Sequence, residues 1–130
     1  MAGEEYILKL AGLEQEITRL EQQMQVVEQQ ILEMQNLKSE LEELDKTKEK
    51  DIWANLGKNI FIKTEIKDKN LLVDVGNRTF IKKNIPETLK IIDEQVKKLG
   101  EVKEQVLSKI QEIQQNTEKI IREAEKSKGK

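Results

Sequence analysis

Apolar residues recur along the first third of the chain at intervals that alternate four and three without a miss: Tyr6, Leu10, Leu13, Ile17, Leu20, Met24, Val27, Ile31 and Met34. Such spacing places all of them along one line of an α-helix, and a line that narrow is buried only against another helix. The chain holds a second such line in Leu89, Ile92, Val96, Leu99, Lys103, Val106, Ile110, Ile113, Thr117, Ile120 and Ala124, with Lys103 and Thr117 as its imperfect members. Two helices are therefore expected, over residues 4–50 and 86–126. At about 1.5 Å per residue, each would reach roughly 60–70 Å. The first line meets Lys38, and Leu37, Leu41 and Leu44 continue it with a shift, so a local change of winding is expected near residue 37. Gly12 and Gly100 lie beside the two lines. Each costs about 1 kcal/mol relative to alanine.

Residues 51–85 follow a different period. Asp51 to Leu56, containing Trp53, reads as a strand, and Gly57-Lys58-Asn59 is turn material. Ile60 to Ile66 is β-branched and half alternating, which suits a strand. A polar loop, Lys67 to Asn70, precedes a third strand at Leu71 to Val75. Gly76-Asn77 marks a turn, and Thr79 to Lys82 a fourth strand. Pro86 suits the first turn of the second helix, where its missing N–H costs nothing. The expected fold is mainly α with a small β part. It is a long antiparallel two-helix coiled coil whose two central β-hairpins assemble into an intersubunit β-barrel, all in a single domain over residues 1–130.

Two small hairpins are not stable alone in water, and open strand edges pair with other chains. The expected oligomerisation surface comprises Trp53, Ile60, Phe61, Ile62, Ile66, Leu71, Val73, Val75, Gly76, Phe80 and Ile81. Joining the end of the first helix to the start of the second sets opposed seam residues at numbers summing to about 137. Met24 then faces Ile113, Val27 faces Ile110, Leu13 meets Ala124, Leu10 meets Ser127, and Tyr6 meets nothing. Tyr6, Ile7, Leu8 and Leu10, with Leu13 and the doubled Ile120-Ile121 of the other helix, would thus form an apolar group at the free tip. Apolar surface left unpaired there points to a binding site for apolar segments of other proteins.

Composition removes most other functions. Of 130 residues, 37% are charged and 3% aromatic, with no cysteine and no histidine. Disulfides, zinc fingers, thiol nucleophiles and imidazole bases are therefore not expected. Ser39, Ser108 and Ser127 have no histidine to activate them, no phosphate-binding glycine loop occurs, and the carboxylates sit on solvent faces of helices. Neither an enzyme nor a cofactor is expected. Lysine and arginine number 23 against 25 acidic residues, a net charge of −2, which argues against nucleic acid as a partner. The chain has no run of about 18 apolar residues and begins without a basic, apolar leader. No membrane partner and a cytoplasmic location are expected. The basic runs Lys46 to Lys50 and Lys126 to Lys130 read as solvated ends.

The order helix, two hairpins, helix, with Asn70-Leu-Leu-Val-Asp-Val-Gly-Asn-Arg-Thr-Phe-Ile-Lys-Lys-Asn84 in its centre, resembles the α-class subunit of archaeal prefoldin over nearly the whole chain. The resemblance implies an ATP-independent holdase. Its hairpins would join those of other subunits in a barrel platform, and its helical tips would hold unfolded polypeptide clients and pass them to a group II chaperonin. It also implies β-class prefoldin subunits as partners, in a hexamer of two α and four β. Three residues depart from the family pattern: Arg78 replaces a second glycine, Thr79 an aromatic residue and Lys82 a glutamate. These changes fall on the fourth strand and its turn. They raise the alternative of an α-like paralogue that assembles with itself into filaments. A coiled-coil scaffold without chaperone activity is the alternative from another class.

Overall fold

The structure is a computed structural model that describes residues 2–128, with side chains described over 3–126. Ser127, expected beside Leu10, and the remainder of the terminal basic run after Lys126 lie outside the described side chains. The elements in order are α1 (Ala2–Lys46), β1 (Asp51–Gly57), β2 (Ile60–Glu65), β3 (Leu71–Asp74), β4 (Phe80–Lys83) and α2 (Ile85–Lys128). Strands β1 and β2 form one antiparallel pair, and β3 and β4 another. Two long helices with two small hairpins between them are thus present as the periodicity requires. The chain divides into two compact units, one built from the residues up to Leu32 and from Lys97 onward, the other from Glu33 to Val96.

In the first unit the seam forms as the spacing demands. Leu20, Met24 and Val106 are buried, with Ile110 and Ile113 packed against them. Burial of side chains of this size stabilises by about 1.5–3 kcal/mol each. Both imperfect seam members are accommodated. The Lys103 ammonium lies 3.6 Å from the Glu28 carboxylate. The Thr117 hydroxyl donates to the Ile113 carbonyl at 2.8 Å.

In the second unit Leu41, Ile85 and Ile92 form the core, with Leu44, Leu71, Leu89 and Val96 around them. Leu71 brings strand β3 into this core. Helix α1 stops at Lys46, four residues short of the expected end, because its last carbonyls are satisfied from outside. The Lys69 ammonium donates to the carbonyls of Asp45 at 3.0 Å and Thr47 at 2.8 Å, and the Glu49 N–H donates to the Thr47 hydroxyl at 3.3 Å. Helix α2 opens on Asn84. Its side-chain oxygen accepts from the Glu87 N–H at 2.9 Å, and its carbonyl accepts from both the N–H and the hydroxyl of buried Thr88.

Two seam expectations are corrected. The seam does not shift at residue 37. Lys38 is itself a half-buried seam member, and its ammonium lies 2.8 Å from Asp93, whereas Leu37 is exposed. A lysine stem can line an apolar seam while its head stays wet. The spacing breaks later, between Leu41 and Leu44, where α1 turns a second apolar stripe toward β1 and β2.

The register also differs, by about one heptad. Numbers summing to about 137 would set Lys38 opposite Leu99 and Lys103 opposite Met34, cation against hydrocarbon. In each unit the lysine instead meets a carboxylate, Asp93 or Glu28. A heptad seam matches itself at every seven-residue step, so apolar contacts alone do not choose the register. The seam lysines do, as polar residues at such positions do in coiled coils generally. It follows that Tyr6 is not without a neighbour across the seam.

The two hairpins turn in the same way. Lys58 and Asn59 have φ of 51° and 63°, and Asn77 and Arg78 have φ of 51° and 59°. Positive φ at both central positions is the type I′ geometry, whose twist matches that of the flanking strands. Each turn follows a glycine, Gly57 or Gly76, at φ near +125°, which L side chains rarely adopt. The N–H of each glycine donates to a side chain two residues back, Asn55 at 2.7 Å and Asp74 at 2.9 Å. The sequences agree as well: Gly57 to Lys63 and Gly76 to Lys82 share glycine, then Phe-Ile-Lys, at equal spacing.

Candidate functional site

Two apolar surfaces stand out, one in each unit. In the first unit, Tyr6 and Leu10 of α1 and Ile121 and Ala124 of α2 line a groove of about 300 Å³, with Gly3, Ile7 and Glu125 at its margins. The small Ala124 and Gly3 leave the groove open. Tyr6 and Leu10 are half-buried, while Ile7 is 67% exposed, Leu8 73% and Ile121 42%. On another face of the same helices, Leu8, Leu13 and Ile120 line a shallower groove rimmed by Lys9, Glu16, Lys119 and Glu123. All seven expected client-binding residues thus lie in or beside two neighbouring grooves. Leu13 and Ile120 serve the seam as well, and Ile7, Leu8 and Ile121 are the freest.

The second surface belongs to the hairpins. Strand alternation sets Leu72, Phe80 and Lys82 on one face of the β3–β4 hairpin, and Leu71, Val73, Ile81 and Lys83 on the other. The first face is outward, with Leu72 73% and Phe80 58% exposed, whereas Leu71 packs into the core. On the β1–β2 hairpin, Trp53, Asn55 and Phe61 share a face. With Leu37, Leu41 and Leu44 of α1 they line a groove of about 520 Å³, rimmed by Glu40 and Glu43. Of the residues expected to oligomerise, Trp53, Ile60, Phe61, Ile62, Val75, Gly76, Phe80 and Ile81 are exposed, and Ile66, Leu71 and Val73 are half-buried. Sequence reasoning passes over Leu37 and Leu56 as members of this surface. Leu37 had a signal: the stripe Leu37, Leu41, Leu44 marks a second face of α1 rather than a twist in the first.

Among the described residues no three acidic side chains gather as a metal site, and no helix is long and apolar enough to cross a membrane. Among the described residues, the acidity of Lys38 is shifted by its surroundings. Its hydrogen bond to Asp93 holds its pKa above the ordinary lysine value, helped by the Asp93 charge, opposed by desolvation, and helped least by the charge of Glu42. The surfaces offer apolar contact within a charged surround.

The prefoldin-subunit family profile matches residues 13–130. The chain belongs to the prefoldin family. Members of that family are chaperones rather than enzymes, and their assemblies are oligomers of prefoldin subunits. A structure described as filamentous PFD from Methanocaldococcus jannaschii is similar over 94% of this chain and 97% of that one, with a TM-score of 0.56 and 24% identity. At that identity the likeness speaks for the prefoldin fold alone. No curated protein matches the chain.

Proposed function

We propose that this prefoldin subunit is an α-class, ATP-independent holdase that captures unfolded polypeptides at its helix termini, prevents their aggregation and hands them to a group II chaperonin. The observation that carries this reading is the cluster of exposed Ile7, Leu8 and Ile121 around the groove of Tyr6, Leu10 and Ala124. An unfolded chain offers scattered apolar side chains, and a groove of this width accepts them one or two at a time. Each contact is weak and reversible, and several subunits held together multiply it. The test is suppression of aggregation of a thermally unfolding protein, followed by light scattering. Replacing Ile7, Leu8 and Ile121 by serine is expected to raise the amount of subunit needed by about tenfold, with helix content unchanged. Equal protection by the variant would overturn the reading, and no protection by the unmodified protein would favour a scaffold.

Two modes of assembly are compatible with the hairpin surface: a hexamer with β-class subunits and a homopolymer. The homopolymer is favoured by the filamentous neighbour of the same fold. The charge of the two hairpin faces, taken up below, favours it too.

A further inference from the structure

We propose that the outward face of the β3–β4 hairpin of one copy seats in the groove between α1 and the β1–β2 hairpin of a second copy, in a head-to-tail contact. The proposal rests on the self-assembly reading above and names its contact.

The two surfaces complement each other in shape and charge. The groove is lined by Leu37, Trp53 and Phe61, and its rim carries Glu40 and Glu43, while exposed Lys63, paired with Trp53 across the strands, shares the hairpin face outside that rim. The outward face presents Leu72 and Phe80 with Lys82 beside them, and Arg78 stands on the adjoining turn. Among the described residues none of Glu40, Glu43, Arg78 and Lys82 takes part in an ion pair, whereas neighbouring Lys83 is already engaged with Glu87 and Lys38 with Asp93. Two free carboxylates thus frame an apolar groove, and two free cations frame an apolar ridge. Asp74 shares the ridge's face, but its carboxylate accepts from the Gly76 N–H at 2.9 Å. Trp53 is 66% exposed in the single chain, and an indole so placed gains most from a partner that covers it.

Because groove and ridge are different patches of one chain, each copy keeps a free ridge and a free groove after one contact. Such heterologous contacts extend the assembly until it closes as a ring or continues as a filament. The opposed charges set the direction of pairing and disfavour ridge against ridge.

The test uses two charge-reversed variants of the full chain, Arg78→Glu with Lys82→Glu and Glu40→Lys with Glu43→Lys, sized by light scattering and viewed by electron microscopy. Circular dichroism checks that each keeps its helix content. Each variant alone is expected to need about tenfold or more protein to assemble than the parent, since like charges then meet across the contact. Mixed in equal amounts they are expected to recover the parent's assembly, because the acidic ridge of one fits the basic groove of the other. Parent-like assembly of either variant alone, or folded variants that fail to recover on mixing, would overturn this contact while leaving self-assembly standing. A parent that stays small at every concentration and grows only with a β-class subunit would overturn both, and would make that subunit the occupant.

Discussion

Arg78 sits in the left-handed backbone region, φ 59°, where a side chain costs energy that glycine avoids. On the proposed contact, the residue is held there for its charge. Arg78→Gly is expected to stabilise the hairpin unit by about 0.5–1 kcal/mol in urea unfolding of dilute protein, yet to weaken self-assembly, so stability and size move in opposite directions. Lys38 gives a second prediction. Its pKa is raised in the folded state by Asp93, so the pairing contributes fully below the ordinary lysine pKa of about 10.4 and is lost as pH rises through the higher folded value. The urea midpoint of the native chain is therefore expected to fall relative to Asp93→Asn at alkaline pH, above about pH 10, with their difference constant near neutrality. A difference that stayed flat into that range would show that the pair adds nothing.

At the scale of elements, most of the fold was legible. Period settled both helices and all four strands, and the glycine-led turns fell where Gly57 and Gly76 stand. The failures share a cause. Register depended on which residue answers a seam lysine, and a one-dimensional apolar pattern repeats after every heptad. Leu37 reads as a slip in one stripe because the apolar pattern of α1 does not show that the following hairpin folds back onto it. The binding surfaces were legible as residue sets but not as sides: only pairing shows that Leu72 faces outward while Leu71 enters the core. The helices offer a prediction of their own. A Cβ at Gly12 or Gly100 would meet nothing within 4 Å beyond its own helix. Changing either to alanine is expected to raise stability by about 1 kcal/mol, read from thermal unfolding by circular dichroism, with client protection unchanged. Loss of protection would mark that glycine as a flexing point that the function needs.

At the scale of the whole molecule, apolar groups are distributed in an unusual way. Among the described residues only seven hydrophobic side chains are buried, while Trp53, both phenylalanines and many leucines and isoleucines remain open to solvent. A single copy therefore leaves a large part of its hydrophobic stabilisation unrealised, which the proposed association would supply. Stability should then depend on mass action. Raising protein concentration a hundredfold is expected to raise the melting temperature followed through the Trp53 fluorescence, and the ridge variant Arg78→Glu with Lys82→Glu should lose that dependence. A melting temperature independent of concentration would place the hairpins among self-sufficient folds.

The seam lysines carry one mechanical consequence. Sliding one helix along its mate by a heptad, to numbers summing to about 137, brings apolar seam positions together again but sets Lys38 opposite Leu99 and Lys103 opposite Met34, away from the carboxylates that now hold them. The pair is thus notched against shear. On the proposed function, a pull from a bound chain would meet this resistance to slippage within each unit.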